Sequence, residues 1–341
     1  MNILITGGAG YIGSHVVRQL AENKNAKVTV LDNLCGGYFD SISVLKKFYD
    51  KSRFEFINLD LKEFDKVEEV FKNNSFDAVI HFAAHLQVGE SVEKPLKYYM
   101  NNTVNTTNLI NLCTTYNVNK FIFSSTAAVY GEPDEVPIKE TTPTAPINPY
   151  GMSKLMSERV LIDTALSNKD FKYVILRYFN VAGASTDNSI GECHIPESHL
   201  IPLIIHAAIG KREKIMMFGD DYDTQDGSCI RDYVHVEDLA SAHIKALEYL
   251  KNSNDSDIFN CGYGHGYSVK EVINTVKKVS DVDFTVETVA RRAGDPAQLV
   301  ADNTKIKEKM NWTPKHNNLE LICKSALDWE KKTLTSQNTI C

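Results

Sequence analysis

From residue 2 to residue 178, short β-branched and aromatic runs alternate with longer segments whose apolar residues recur at helical spacing. The pattern predicts strands at 2–6, 27–32, 54–59, 77–82, 120–125 and 172–178, and helices at 12–23, 63–73, 96–116 and 150–167. Near-continuous apolar strands separated by helices form a parallel sheet covered on both faces, because each crossover lays a helix over one face. Ligands of such sheets bind outside the carboxyl ends of the strands. Every chemistry-bearing motif in the first half falls at such an end or soon after it.

Beyond about residue 181 the pattern loosens into Pro- and Gly-bearing loops at 132–149 and 183–202 and a polar loop at 219–227, with helices expected at 238–250 and 269–279. Residues 1–180 are therefore read as the sheet domain, with a segment near 235–262 returning to it. Residues 181–341 form a smaller C-terminal α/β substrate lobe, and the polar stretch 333–341 is expected to fray.

Composition narrows the function. With 37 basic and 44 acidic side chains the net charge is −7, which disfavours nucleic acid and anionic membrane as partners. No apolar run approaches the roughly 18 residues of a bilayer span, and Met1 to Gly7 reads as a buried strand rather than a signal peptide. The seven cysteines are scattered without a C-x-x-C, and the ten histidines lack H-x-x-H spacing. Neither a disulfide framework nor a metal site is expected, and a reducing, cytoplasmic setting fits.

Thr6-Gly7-Gly8-Ala9-Gly10-Tyr11-Ile12-Gly13 links the first strand to the first helix. Gly7 permits the tight turn, Gly10 lets backbone amides approach a pyrophosphate, and Gly13 lets helix and strand pack closely. The spacing is G-x-x-G-x-x-G rather than G-x-G-x-x-G. Asp32 ends the second strand, where a carboxylate accepts the two ribose hydroxyls of NAD, and no arginine follows closely to favour a 2′-phosphate. Asp60, just past the third strand, is either an adenine contact or the N-cap of the next helix. Together these features point to a Rossmann-type doubly wound α/β fold that binds NAD.

Tyr150-Gly-Met-Ser-Lys154 puts a phenol and an ammonium at i and i+4 on one helical face. A nearby cation stabilises phenolate, so Lys154 is expected to lower the Tyr150 pKa toward neutrality and make it a base, and Lys154 can also reach the nicotinamide ribose. Tyr116-Asn-Val-Asn-Lys120 has the same spacing but lies at the wrong end of the sheet. Ser124-Ser125-Thr126 closes the fifth strand and offers a hydroxyl to a substrate oxygen beside Tyr150. The combination indicates NAD-dependent hydride chemistry at a carbinol carbon.

With these motifs the chain resembles the extended short-chain dehydrogenase/reductase family, and within it the epimerases of UDP-sugars. The likeness runs through Val79-Ile-His-Phe-Ala83, Val88-Gly-Glu-Ser-Val92, Phe121-Ile-Phe-Ser-Ser125, Arg177-Tyr-Phe-Asn180, Phe218-Gly219, Arg231-Asp-Tyr-Val-His235 and Arg291-Arg292-Ala-Gly-Asp295. It implies Tyr150 as base, Lys154 as its modulator and Thr126 as hydroxyl partner. It further implies Tyr11, Ile12, Asn33, Leu61, Phe82, Ala83, Ala84, Asn101, Ser124 and Tyr178 against NAD. Asn180, His199, Leu200, Phe218, Arg231, Arg292, Asp295 and Leu299 would surround the UDP-sugar. Guanidinium forks suit a diphosphate and an aromatic face suits uracil.

The implied activity is interconversion of UDP-glucose and UDP-galactose, through oxidation at C4, rotation of the 4-keto sugar and return of the hydride. The alternatives are an epimerase of another UDP-sugar, such as UDP-glucuronate, and a non-catalytic NAD-binding regulator. A 4,6-dehydratase would need an Asp-Glu pair where this chain has Ala127-Ala128.

Four positions depart from the family pattern. Thr126 replaces a common serine, Leu86 a lysine, Ser198-His199 an Asn pair, and Leu299 a bulky tyrosine. The smaller Leu299 leaves room for N-acetylated UDP-sugars. The family also implies a homodimer, for which Leu155, Met156, Val160, Leu161 and Leu166 offer an apolar face.

Overall fold

The computed structural model describes residues 1–36, 39–253, 255–292 and 295–335, so the end of the expected frayed stretch, 336–341, lies outside the described residues. β1 (Asn2–Thr6), β2 (Lys27–Asp32), β3 (Phe54–Asn58), β4 (Ala78–His81), β5 (Lys120–Ser124) and β6 (Lys172–Tyr178) form the central sheet. Asp257–Cys261, much later in the chain, adds the seventh strand on the free edge of β6. All neighbours are parallel, and from that added edge the order is β6, β5, β4, β1, β2, β3. The order reverses between β1 and β4, which opens a crevice at their carboxyl ends.

Strand periodicity divides the core between two faces. Ile3, Ile5, Val28, Val30 and Ile80 pack on one side with Val16, Val17 and Leu20 of α1 (Tyr11–Leu20) and with Leu239 and Ala246 from a later helix. Leu4, Val79, Phe121 and Phe123 pack on the other with Val67, Phe71, Leu109 and Leu161. Both faces are buried, which is why these strands read as apolar runs rather than alternating ones.

The following helices are α2 (Phe39–Leu45), α3 (Phe64–Lys72), α4 (Val88–Glu93), α5 (Pro95–Tyr98), α6 (Asn105–Thr115) and α7 (Pro149–Ser167). The helix expected over 96–116 is interrupted by one wide turn at Tyr99–Val104, where i→i+5 pairing replaces the α pattern. The cause is tertiary. Buried Asn102 donates to His85 O at 3.0 Å and to Ser153 Oγ at 3.0 Å, and accepts from His85 N at 2.8 Å.

The second half has more regular structure than its sequence suggests. β7 (Asn180–Ala182) pairs with β10 (Tyr233–His235), and β8 (Lys214–Phe218) pairs with β13 (Thr285–Val289). β9 (Ile230–Arg231) lies between β12 (Tyr267–Ser268) and β14 (Gln298–Leu299). α8 (Leu200–Ala208) begins inside the expected 183–202 loop, and α9 (Val236–Asn252), which packs on α1, precedes the seventh strand of the central sheet. α10 (Val269–Ser280), α11 (Thr304–Met310) and α12 (Leu319–Thr335) complete the lobe. No helix among the described residues is long and apolar enough to cross a membrane. Cys35, Cys113, Cys229, Cys261 and Cys323 are free thiols, as the scattered spacing suggests, whereas Cys193 departs from it and is disulfide-bonded.

A buried ion pair fastens α7 to β6. Arg177 Nη2 donates to Glu158 Oε2 at 2.6 Å and Nε to Oε1 at 3.0 Å, with the side chains 5% and 1% exposed. Removing one partner strands the other charge without water, at a cost of about 3–5 kcal/mol. Glu158→Ala should lower the urea unfolding free energy by that amount, and Glu158→Leu with Arg177→Met should recover most of it. A loss below about 1 kcal/mol in the single variant would show that Arg177 finds water instead.

Candidate active site

The β1–α1 turn is built by close backbone approach. Gly7 has φ +75°, its amide donates to Leu31 O at 2.9 Å, and a Cβ there would lie 2.5 Å from Ala83 N. A Cβ on Gly13 would lie 2.3 Å from Gly7 O. Gly10 is the N-cap of α1 and contributes no side-chain cap, so the first amides of Tyr11, Ile12 and Gly13 are free for an anion. Tyr11 is anchored through its hydroxyl, which donates to Gly183 O at 2.6 Å.

Asp32 is buried at the end of β2. Its Oδ2 accepts from Ala9 N at 2.9 Å and its Oδ1 from Leu34 N at 2.8 Å. Burial pushes its pKa up, against the pull of the two amides. Asn33 Nδ2 donates to Asp60 Oδ2 at 2.9 Å, which brings Asn33, Asp60 and the buried Leu61 together at the ends of β2 and β3. Asp60 does not cap α3, whose N-cap is Glu63. Burial raises the Asp60 pKa, but the Lys62 amide, Asn33 and the Lys62 ammonium outweigh it and hold the carboxyl below its usual value. An amide-lined turn, an uncapped helix and a buried carboxylate 19 residues past Gly13 fit a dinucleotide.

Phe82, Ala83 and Ala84 follow β4, with the Phe82 ring 4.7 Å from that of His243. Ser124 Oγ lies 3.2 Å from His243 Nε2. Asn101 stands on the wide turn and donates to Asn102 Oδ1 at 3.0 Å.

Asn148 caps α7 by accepting from Gly151 N at 2.8 Å. At Gly151 a Cβ would lie 2.6 Å from Ala128 O, so the helix start presses against the segment after β5. That contact sets Tyr150 beside Thr126, whose hydroxyl favours the phenolate against burial. Lys154 Nζ donates to Ser124 O at 2.8 Å and sits 5.0 Å above the Phe123 ring. The other Tyr-x-x-x-Lys pair is elsewhere: Tyr116 donates to Glu68 Oε1 at 2.9 Å, and Lys120 begins β5.

The second lobe gathers the remaining candidates. Arg231 forms an ion pair with Asp295 and donates to Ile230 O at 2.8 Å. The Arg292 guanidinium lies 3.9 Å above the Phe218 ring, so one face of that ring already holds a cation. Leu299 stands opposite Arg231 in the β14–β9 ladder and packs with Ala127, Val129 and Tyr130 beyond β5. Asn180 opens β7, and its amide donates to Asp232 O at 3.0 Å. His199 is the N-cap of α8 and Leu200 its first residue.

The pattern common to the NAD dependent epimerase/dehydratase family matches residues 3–262. The UDP-glucose 4-epimerase of Lactobacillus helveticus is 47% identical over 333 residues, 97% of each chain. Among solved structures, the UDP-Glc/GlcNAc 4-epimerase of Campylobacter jejuni is 56% identical with a TM-score of 0.86, over 97% of this chain and 99% of the other. The UDP-glucose 4-epimerase of Bifidobacterium longum, in complex with NAD+ and UDP, is 37% identical with a TM-score of 0.91, over 98% and 99%. The chain belongs to the NAD dependent epimerase/dehydratase family.

Within this family site, one electrostatic expectation is corrected. Burial raises the Tyr150 pKa above that of free tyrosine, and only the Thr126 hydroxyl opposes it. Lys154 is engaged by the Ser124 carbonyl instead, and burial lowers its own pKa to about 7 against an upward pull from Glu158. Sequence reasoning also missed Glu158, Asn102 and His243. All three act through partners far along the chain, so no local spacing announces them. Arg177 lies in the Arg177-Tyr-Phe-Asn180 motif, and a charge inside the otherwise apolar strand Lys172–Tyr178 was the one signal the sequence offered.

The depressed Lys154 pKa fixes a sign. The unfolded chain binds this proton up to about pH 10.5 and the folded chain only to about pH 7, so stability rises with pH across that window. In the cofactor-free epimerase-family chain, Lys154→Met should raise the thermal midpoint more at pH 6 than at pH 9.5. An equal shift at both values would mean that Lys154 is not held neutral by burial.

Proposed function

We propose that the chain is an NAD-dependent 4-epimerase that interconverts UDP-glucose and UDP-galactose and also accepts UDP-GlcNAc and UDP-GalNAc. The observation that carries this reading is the placement of Tyr150 beside Thr126 at the carboxyl end of β5, with Lys154 tied to the Ser124 carbonyl one turn further along α7. Bound NAD supplies a reversible hydride acceptor. Gly7, Gly10, the α1 amides of Tyr11 and Ile12, Asp32 and Asp60 would hold it.

Tyr150 withdraws the proton from the 4′-hydroxyl while Thr126 holds that oxygen by hydrogen bonding. Tyr150 starts from a raised pKa, so it reaches the base form only where positive charge stands beside it, which the Lys154 ammonium and an oxidised nicotinamide would supply. Arg231, Arg292, Asp295, Phe218, Asn180, His199 and Leu200 would anchor the UDP portion. The sugar meets the apolar wall of Leu299 and the two hydroxyls, so the 4-keto sugar can turn about its link to the diphosphate. With the hydride regained on the opposite face of C4, Tyr150 would return the proton to the 4′-oxygen.

The test is turnover of UDP-galactose and UDP-GalNAc side by side, without added cofactor. Tyr150→Phe should reduce both by roughly 10²–10⁴-fold. Leu299→Tyr should remove activity on UDP-GalNAc and spare UDP-galactose. Turnover of UDP-galactose alone by the unmodified enzyme would overturn the broader substrate range, and activity retained in Tyr150→Phe would overturn its role as base.

The reading includes a homodimer. Val92, Leu96, Met100 and Val104 recur every four residues with exposed apolar side chains, Leu96 at 75%, and Met156 and Leu166 of α7 are exposed as well. Leu161 of the expected apolar face is instead buried against the sheet, and Leu155 packs beside Leu299. A second copy laid across this stripe would remove it from water. Leu96→Asp with Met100→Asp should run as a monomer in light scattering where the unmodified chain runs as a dimer. The reading also places the chain in the cytoplasm, where the five free thiols would persist and the Cys193 disulfide would not be expected.

A further inference from the structure

The loop between β7 and α8 carries Glu192, His194, Glu197 and His199 within eight residues, in the order E-x-H-x-x-E-x-H. The fold closes this stretch so that one ligand atom from each side chain lies within 4.8 Å of all the others. His194 Nδ1 and His199 Nδ1 converge on the same oxygen, Glu192 Oε1, at 3.0 and 2.5 Å. Glu197 closes the far side, with Oε1 3.5 Å from His199 Nδ1 and Oε2 3.9 Å from His194 Nδ1. Four ligands at about 2.0–2.2 Å from a tetrahedral ion stand roughly 3.3–3.5 Å apart, within the spread of these separations.

Charge points the same way. The Glu192 and Glu197 side chains are 6% and 8% exposed. Among the described residues neither carboxylate has a lysine or arginine in ion-pair range; both face imidazoles, and Glu197 Oε1 also accepts from the Ser198 and His199 amides at 2.6 and 2.8 Å. Two buried carboxylates side by side are costly unless cations offset them. Here the offset comes from imidazole alone, and against burial their charge raises the His199 pKa to about 10. The cost is sharper here because the His194 ring lies 6.4 Å from that of Tyr11, in the first turn of α1 where an anionic pyrophosphate would bind. The loop is otherwise firmly held. Trp329 Nε1 donates to Glu192 O at 2.8 Å, and a Cβ on Gly191 would lie 2.4 Å from the Trp329 ring.

We propose that Glu192, His194, Glu197 and His199 bind one divalent transition cation of the zinc type. Two imidazoles and two carboxylates suit zinc better than magnesium or calcium, which favour all-oxygen shells. Cys193 is not a ligand, because its sulfur is already in a disulfide. The ion cancels the two carboxylate charges and cross-links the loop just before Leu200, fixing the N-terminus of α8 relative to α1. With Nδ1 of His199 committed to the metal, only Nε2 remains for a substrate oxygen. The role is structural, so the readouts are metal content and stability.

Tag-free protein, purified with its cofactor, should contain close to one zinc per chain by plasma mass spectrometry. His194→Ala and Glu192→Gln should each lower that content at least about five-fold. A measurement that needs no variant guards against misfolding. Wild-type protein stripped with a chelator should bind added Zn²⁺ at one site with Kd below about 1 μM, a free energy of roughly −8 kcal/mol. Its thermal midpoint should rise on adding Zn²⁺ and not on adding Mg²⁺. Absence of stoichiometric zinc together with no tight Zn²⁺ binding to the stripped protein would overturn the proposal, leaving protonated imidazoles to neutralise the carboxylates. Equal zinc content in the variants and the wild type would also overturn it, because the ion would then sit elsewhere.

Discussion

The Glu158–Arg177 pair is the contact on which the catalytic geometry depends. Glu158 sits on α7 one turn beyond Lys154, and Arg177 sits on β6 one residue before Tyr178. Ser125 Oγ donates to Glu158 Oε1 at 2.5 Å, and Arg177 Nη1 donates to the Tyr130 hydroxyl at 3.0 Å. Four segments thus share one buried hydrogen-bonded network: β6, α7, the end of β5 and the turn after it. The network fixes the rotation of α7 about its axis, which decides whether Tyr150 meets Thr126 and whether Lys154 meets the Ser124 carbonyl. A buried ion pair seldom adds much net stability over an apolar replacement, because desolvation consumes the Coulomb gain. Its value here is orientation. An apolar pair would hold α7 against the sheet but would leave its rotation to softer contacts.

The same burial explains the unusual charge state of the site. Lys154 lies in a low-dielectric pocket between Phe123 and Glu158, where the ammonium loses hydration and regains only part of it from one carbonyl and one carboxylate one turn away. Tyr150 is penalised as phenolate for the same reason. Each charged form is poor in this pocket, and the Lys154 ammonium is turned to the Ser124 carbonyl rather than to the phenol.

What was legible in the sequence is what local chemistry encodes. The central strands of the first half were readable because burial on both faces makes them apolar, the edge strand Phe54–Asn58 is only half-buried, and the expected 172–178 strand matches Lys172–Tyr178. The glycine turn was readable because each glycine answers a specific backbone approach, at Ala83 for Gly7 and at the Gly7 carbonyl for Gly13. The wide turn at Tyr99–Val104 was not, because its cause is Asn102 reaching residues 17 and 51 positions away. The small sheets of the second lobe were not either, since strands of two or three residues such as β9 and β14 have no period to detect. The Glu192–His199 cluster escaped notice because its histidines alone show no metal spacing. The pattern emerges only when carboxylates are counted as ligands and the loop is folded.

The two ends of the ligand cleft solve the problem of holding anions in different ways, and the difference bears on the chemistry. At the α1 end backbone amides and the helix dipole would face the phosphates without a cationic side chain, and Asp32, which bonds two amides, would offer its remaining lone pairs to hydroxyls. Such a site binds by shape and leaves the cofactor fixed. At the far end the guanidiniums of Arg231 and Arg292 are held before any ligand arrives, one by Asp295 and the other by the Phe218 ring. Pre-organised forks lose little entropy on meeting a diphosphate. Between the two ends stands Leu299, an apolar residue in register with Arg231. It offers no directional bond to a sugar. In the proposed reading, a UDP-sugar gripped through its diphosphate and meeting Leu299, Thr126 and Tyr150 at the hexose would keep its rotational freedom at the one linkage where an inversion at C4 requires it.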